Sequence, residues 1–329
     1  MNNRDIKKIF ITGGSGFVGQ ALVRELLNSE FTLALLSRDS QRLPEQLRSL
    51  EIIKGDLEVA SSFQDSLKGC DIVIHCAKSD YTENGNNRDI AGTRNLLNAS
   101  IDAGVRRFIY LSSISVYGIT PPGTIDENSP RQDTGDAYTK SKILLESEVM
   151  SRKDRIEVVI LQPANVYGPG PCWWGSTMLN LMRRGRVILV DEGEGVANLV
   201  HVFDLVQAIR LAITADGTGG ECFLITDGRP IKWREYFQGL ESIVGQPATM
   251  ILSIDEAKKI SHKLLDRSLL MRSWRWLERN LFGQPIIYPL DNIAIDKYAC
   301  RTIFSIEKAV RDLNFQPKID FKTGLKSLI

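Results

Sequence analysis

Tyr138 and Lys142 stand four positions apart in Ala137-Tyr138-Thr139-Lys140-Ser141-Lys142, inside a stretch whose pattern predicts a helix over 136–153. Positions i and i+4 of a helix share one face, so the phenol and the ammonium are neighbours there. A phenol of pKa ~10 needs a shift of roughly 3 units, about 4 kcal/mol, to be half ionised at neutral pH. An ammonium ~4 Å away in an effective dielectric of ~20 contributes about 4 kcal/mol. One lysine is therefore the right size to make Tyr138 a usable general acid or base. Upstream, Leu111-Ser112-Ser113-Ile114-Ser115-Val116-Tyr117-Gly118 closes an apolar run and offers the Ser113 hydroxyl as an anchor for a substrate oxygen. The plainer alternative makes Tyr138 and Lys142 an exposed helix pair and Ser113 a turn residue.

Such a constellation needs a scaffold, and the chain supplies one from its start. In Ile9-Phe10-Ile11-Thr12-Gly13-Gly14-Ser15-Gly16-Phe17-Val18-Gly19 an apolar run feeds a glycine-rich turn, which opens an amphipathic segment from Gln20 to Leu27. The order is strand, phosphate loop, helix. Gly13 permits the tight turn, Gly16 admits a pyrophosphate to the backbone, and Gly19 lets the helix sit close on the sheet. The diphosphate would rest on free N–H groups at the positive end of that helix. Strand-like runs recur at 7–11, 31–36, 51–53, 71–75, 107–112 and 156–161, with helix candidates at 17–28, 40–48, 59–67, 87–103 and 136–153. This alternation predicts an α/β fold, a doubly wound parallel sheet of the Rossmann type covered on both faces.

After Gly168 the rhythm breaks into a loop, Pro169 to Gly175, rich in Pro, Gly and Trp. A helix is expected near 176–184 and another at 203–214, behind Leu199-Val200-His201-Val202. The expected division is a dinucleotide-binding domain over 1–168, to which 199–226 returns, and a smaller substrate-binding domain from 169–198 and 227–329.

Composition excludes several classes. The 329 residues carry a net charge of +1, so no basic footprint for nucleic acid is present. No apolar stretch reaches the roughly 18 residues of a bilayer span. The first strand follows Met1-Asn2-Asn3-Arg4-Asp5 at once, leaving no room for a signal peptide. Five scattered cysteines (70, 76, 172, 222, 300) lack metal-ligand spacing, which predicts reduced thiols, no metal site and a cytoplasmic enzyme.

The spacing Gly-x-x-Gly-x-x-Gly at 13–19 together with Tyr138-x-x-x-Lys142 resembles the short-chain dehydrogenase/reductase superfamily. The length and the order of Gly55-Asp56-Leu57, Ile74-His75-Cys76-Ala77 and Asn165-Val166-Tyr167-Gly168-Pro169-Gly170 are similar to its extended branch, the NAD(P)-dependent epimerase/dehydratase type. The resemblance implies a Ser113–Tyr138–Lys142 triad and a cofactor site built from Gly13, Gly16, Phe17, Val18, Gly19, Asp56, Leu57 and Ala77, with Tyr138 and Lys142 also touching the cofactor. It also implies a homodimer through the helices near 87–103 and 136–153. At the end of the second strand, where NAD users place an acidic residue, the chain reads Leu35-Leu36-Ser37-Arg38-Asp39. Arg38 could clamp a 2′-phosphate, with Arg42 as a second cation, which predicts NADP over the alternative NAD. Asp39 is the competing signal.

The chain also departs from the branch. Asp89-Ile90-Ala91-Gly92-Thr93 stands where relatives show Asn-Val-x-Gly-Thr, and an aspartate cannot donate as asparagine does. Gln162-Pro163-Ala164-Asn165 replaces the usual Arg-Pro. Asn165 is a substrate contact or a loop brace, and His201 reads as structural. Ser113-Ile114-Ser115 replaces the Thr-Asp-Glu of dehydratases, and Ala197-Asn198-Leu199-Val200-His201 lacks the arginine of sugar-nucleotide epimerases. The Asn-Leu-Val-His-Val form is similar to 3β-hydroxysteroid dehydrogenases and dihydroflavonol reductases. Trp173 and Trp174 are placed to line a substrate pocket or a hinge. The basic, apolar-striped stretch 255–282 reads as domain packing, with a lid or weak membrane-surface contact as the alternative. The expected activity is hydride transfer between NADP(H) and a secondary alcohol or ketone of a small, partly apolar or cyclic substrate. The alternatives are an NAD-dependent sugar-nucleotide epimerase and a non-catalytic dinucleotide sensor or scaffold.

Overall fold

Fourteen strands are described, numbered β1–β14 in chain order, and seven of them form one parallel sheet. These are β1 (Lys8–Thr12), β2 (Thr32–Ser37), β3 (Glu51–Lys54), β4 (Ile72–His75), β5 (Arg107–Leu111), β7 (Glu157–Pro163) and β11 (Glu221–Ile225). Their order is β11-β7-β5-β4-β1-β2-β3. The computed structural model describes residues 6–79, 82–265 and 286–329, without the side chain of Arg42.

Strand residues alternate between two apolar layers, as a sheet covered on both faces requires. Ile9, Ile11, Ile72, Ile74, Ile109 and Leu111 face one side, where they meet Leu22, Val23 and Leu26 of α1 (Phe17–Leu26) and Leu205 and Ile209 of α5 (Val202–Thr214). Phe10, Val73, Phe108 and Tyr110 face the other, against Leu96 and Leu97 of α2 (Glu83–Asp102) and Leu145 and Val149 of α3 (Ala137–Met150). The doubly wound fold expected from the alternation is the fold observed.

A separate core gathers α4 (Met178–Arg184), α6 (Trp233–Val244), α7 (Ile254–Leu265) and helix Asn292–Ala299 around the parallel sheet β12-β9-β13. Its strands are β9 (Gly185–Val190), β12 (Thr249–Leu252) and β13 (Ile286–Tyr288). Two small pairs join the halves: β8 (Asn165–Tyr167) with β10 (Leu199–His201), and β6 (Gly123–Ile125) with β14 (Thr302–Phe304).

Two expected helices are corrected. Residues 40–48 form two 3-10 turns, Ser40–Arg42 and Glu45–Leu47, because Pro44 lacks an N–H and holds Leu43 extended at ψ 138°. Residues 59–67 likewise form turns Ala60–Ser62 and Gln64–Leu67. There Ser62 Oγ donates to the Val59 carbonyl at 2.6 Å and accepts the Asp56 N–H at 2.9 Å, a local bond that competes with a helix. Conversely, α2 starts four residues ahead of expectation, at Glu83, because the Thr82 hydroxyl caps it by accepting the Gly85 N–H at 3.0 Å. The helix expected near 176–184 is preceded by a wide turn, Trp173–Thr177. Within 255–282 only α7 is described, and its Lys258 pairs with Asp296 at 2.7 Å; the rest lies outside the described residues. No described helix is long and apolar enough to cross a membrane.

Candidate active site

The strand order reverses beside β1, which pairs with both β2 and β4, and a cleft of about 1040 Å³ opens at the C-terminal ends of these strands. Gly13, at φ +75°, makes the turn out of β1, and a Cβ there would lie 2.6 Å from the Ala77 backbone nitrogen. A Cβ on Gly19 would lie 2.1 Å from the Gly13 carbonyl oxygen, so α1 can rest on the turn only without a side chain. Gly16 is different. A Cβ there would meet only the Gly13 oxygen, at 3.3 Å, and Gly16 caps α1 with no side-chain bond to the first-turn N–H groups. Gly16, Phe17 and Val18 all line the cleft. An uncapped ten-residue helix opening onto empty space fits a dinucleotide diphosphate.

The triad candidates line the same cleft. Asp136 caps α3 by accepting the Thr139 N–H at 2.8 Å, which fixes the turn carrying Tyr138. The buried stripe of α3 mixes Leu145 and Val149 with Thr139, Ser141, Lys142 and Glu146, an unusual share of polar groups for a covered helix face. The Lys142 ammonium is buried; it donates to the Leu111 carbonyl at 2.8 Å and to Tyr110 Oη at 3.1 Å. Burial lowers its pKa to about 8, against the opposing pull of Asp89. Ser113 follows the end of β5, half-buried, and its hydroxyl accepts the Ser115 N–H at 3.1 Å.

Two further residues on this floor had no assigned task in the sequence. His75 ends β4, where Nδ1 meets Thr12 Oγ1 at 2.6 Å and Nε2 meets Thr93 Oγ1 at 2.9 Å. Burial holds it neutral, with a pKa lowered to about 3. The only sequence signal was one polar residue closing an otherwise apolar strand. Lys78 lies 2.7 Å from Asp89 and 5.7 Å from the Tyr138 ring centroid, and nothing local in the sequence joins those three positions.

At the β2 end, exposed Arg38 lines the cleft. Asp39 accepts the Gln41 N–H at 2.9 Å, turning its carboxylate to the Ser40–Arg42 turn. The Arg42 side chain lies outside the described atoms. Asp56, Leu57 and Ala77 line the cleft as well; Leu57 sits against Gly92, where a Cβ would come within 2.7 Å of the Leu57 side chain.

At the opposite end the cleft is lined by Trp173 and by Trp174, Trp233 and Tyr298 of the second core. Trp173 is 56% exposed on the rim. The Trp174 ring packs at a tilt against Trp233, 5.1 Å between centroids, and against Tyr298 at 6.2 Å, and its carbonyl accepts the Tyr236 hydroxyl at 2.9 Å. Asn165 lines the cleft while its Nδ2 donates to the Ala197 carbonyl, bracing β8 to the segment before β10. His201 is 1% exposed; Nδ1 accepts the Phe203 N–H at 3.3 Å and Nε2 meets Ser327 Oγ at 3.1 Å.

A parallel sheet with its order reversed over a glycine turn, and a Tyr–Lys pair in the crevice, define a dinucleotide-dependent enzyme of the doubly wound class. Residues 9–225 match the NAD dependent epimerase/dehydratase family, and the chain belongs to that family, the extended type of short-chain dehydrogenase/reductase. It is an enzyme with an NAD(P) cofactor, and the family's activities are epimerase, dehydratase and reductase chemistry. Among curated relatives, the chain is 29% identical to the 3 beta-hydroxysteroid dehydrogenase/Delta 5-->4-isomerase of Mycobacterium tuberculosis, over 95% of this chain and 87% of that one. It is 28% identical to the 2-alkyl-3-oxoalkanoate reductase of Stenotrophomonas maltophilia, over 98% of both. The fold is shared with the UDP-glucose 4-epimerase of Thermotoga maritima, solved with UDP-glucose, at a TM-score of 0.74 and 22% identity over 98% of this chain and 97% of that one.

Proposed function

We propose that the enzyme moves a hydride reversibly between NADP(H) and a secondary alcohol or ketone of a modest-sized, partly apolar or cyclic substrate. The observation that carries the proposal is the convergence of Ser113, Tyr138 and Lys142 on the cleft into which the uncapped start of α1 opens.

The bound nicotinamide supplies or receives the hydride. The chain's own part is to bind, align and handle a proton. Gly13, Gly16 and Gly19 shape the turn that receives the diphosphate, and Arg38 meets a 2′-phosphate at the far ribose. The Ser113 hydroxyl donates to the substrate oxygen and aligns the reacting carbon. Tyr138 gives its phenolic proton to that oxygen in reduction and takes it back in oxidation. Lys142, anchored on the Leu111 carbonyl one turn along α3, supports the charge of the ionised phenol.

The substrate end supports a partly apolar ligand. Trp173 and Trp174 are the proposed contacts, with Asn165 at the inner edge. Ala197 lines the cleft where sugar-nucleotide epimerases of the branch carry an arginine, which supports a non-nucleotide substrate; Lys297 is a described cation on the same lining. The substrate-binding part, 169–198 with 227–329, and a homodimer through the outer faces of α2 and α3, where Leu144 is 49% exposed, belong to the same proposal.

The test is a fluorescence titration of cofactor-stripped protein with NADPH and NADH side by side, followed by a screen of ketones. Preference for dissociable NADPH with ketone turnover is the expected result. Tight NAD(H) binding with no net redox turnover overturns it in favour of the epimerase, and binding of neither cofactor overturns the enzyme reading itself.

A further inference from the structure

Lys78 follows Ala77 in the segment leaving β4, and its ammonium lies 5.7 Å from the centroid of the Tyr138 ring. That position is built. Asp89 Oδ2, from α2, stands 2.7 Å from the ammonium, Asn86 Oδ1 accepts from it at 3.1 Å, and the Ser79 carbonyl accepts at 3.3 Å. The other Asp89 oxygen accepts the Ser79 N–H at 2.8 Å, which locks the segment carrying Lys78 onto α2. The Lys78 and Asp89 side chains are only 19% and 11% exposed, so solvent screens them incompletely.

We propose that Lys78 is a second cation of the site, a positioning residue held by Asp89 that joins Lys142 in stabilising the ionised form of Tyr138. The inference rests on the assignment of Tyr138 as acid and base. It gives a physical reason for a carboxylate at position 89: an ammonium that opposes the charge of Lys142 is balanced by Asp89 beside it. Lys142 alone is a compromised partner, because burial disfavours its charge and Lys78 disfavours it further. Lys78 is less deeply buried than Lys142, with 19% of its side chain exposed.

The titratable groups around the Tyr138–Lys142 pair come from α3, β5, β4, the β4–α2 segment and α2. Lys142 lies on the same helix, and Tyr110 comes from β5, close enough that the two phenols oppose each other's ionisation. His75 comes from β4 and is held neutral. Lys78 and Asp89 come from the β4–α2 segment and from α2, where Arg88 also lines the cleft. Asp136, at the start of α3, is paired with Lys297 at 3.3 Å.

The test follows Tyr138 without substrate or cofactor. Absorbance near 295 nm is titrated with pH, and the Tyr138 step is isolated by subtracting the same titration of Tyr138→Phe. Lys78→Met leaves Asp89 as an unbalanced anion and should raise the Tyr138 midpoint by about 1 pH unit or more. Lys78→Met with Asp89→Asn removes both charges, keeps the shape, and should fall between that variant and the wild type. Lys78→Arg should restore the wild-type midpoint. A brace without an electrostatic role would change thermal stability and leave the midpoint where it was. A midpoint in Lys78→Met at or below the wild-type value overturns the proposal, as does the absence of any Tyr138 step below about pH 11 in the wild type. Failure of the triad assignment shows elsewhere, as undiminished turnover in Tyr138→Phe.

Discussion

Lys142→Met should strengthen the fold at neutral pH and move the pH at which it is strongest. The Lys142 ammonium is 6% exposed, and its pKa falls from the 10.5 of a free lysine to about 8, chiefly through burial. That gap, at about 1.4 kcal/mol per pH unit, makes the protonated side chain cost about 3 kcal/mol in the folded protein below pH 8. Methionine removes this cost and fills much of the same volume. It also loses the bonds to the Leu111 carbonyl and Tyr110 hydroxyl, about 1 kcal/mol each. The variant should therefore be about 1 kcal/mol more stable than the wild type at pH 7. The sign changes with pH. Between about 8 and 10.5 the unfolded lysine binds more protons than the folded one, so the wild type gains stability as pH rises. Above that window the cost is gone, and the variant should be the weaker by about 2 kcal/mol. Urea unfolding of both proteins, without cofactor, at pH 7 and at about pH 10.5 measures the swing, and titrations common to both cancel in the difference. A stability difference that stays constant within about 0.5 kcal/mol would show that burial does not strain this lysine. Turnover should be lost in the variant at either pH, marking Lys142 as a residue kept at the expense of stability.

Two further outcomes follow from the glycine turn and the ribose end. Gly19→Ala places a methyl 2.1 Å from the Gly13 oxygen and should cost roughly 1–3 kcal/mol and most of the cofactor affinity. Gly14→Ala, whose Cβ would first meet Leu35 at 3.6 Å, should leave both nearly unchanged in thermal melts and titrations; equal damage from the two refutes the close-packing argument. Arg38→Asp replaces a charge-assisted phosphate contact with repulsion and should weaken NADPH by roughly 100-fold while sparing NADH. An unchanged preference in competition titrations would remove Arg38 from the cofactor site.

Much of this architecture is legible locally. The strand–turn–helix at 9–26, the alternation of apolar faces in β1, β4 and β5, and the i, i+4 relation of Tyr138 and Lys142 each depend on neighbours within a few residues. The positions read as triad, phosphate turn and substrate contacts all border one cleft. The sequence misled where a single residue overrode a periodic pattern, as Pro44 does within 40–48 and Ser62 within 59–67. It was silent where partners meet only in space. Lys78 reaches Tyr138 across the gap between β4 and α3, and Trp174 meets Tyr298 from more than a hundred residues away. Asp39 shows a subtler limit. Its type suggested a ribose contact, and the structure adds that one carboxylate oxygen also caps the turn beyond it by accepting the Gln41 N–H.

The most direct measurement pairs cofactor titration with single-turnover reduction of a ketone found in the NADPH screen, comparing wild type and Tyr138→Phe. The phenyl ring preserves most of the shape of the cleft and removes only the hydroxyl that carries the titrating proton. Nicotinamide binding should stay within about twofold, while the rate of reduction should fall by at least about 100-fold, the range expected when a general acid is lost. Reduction at a near-normal rate in Tyr138→Phe, with the cofactor bound as before, would contradict the account.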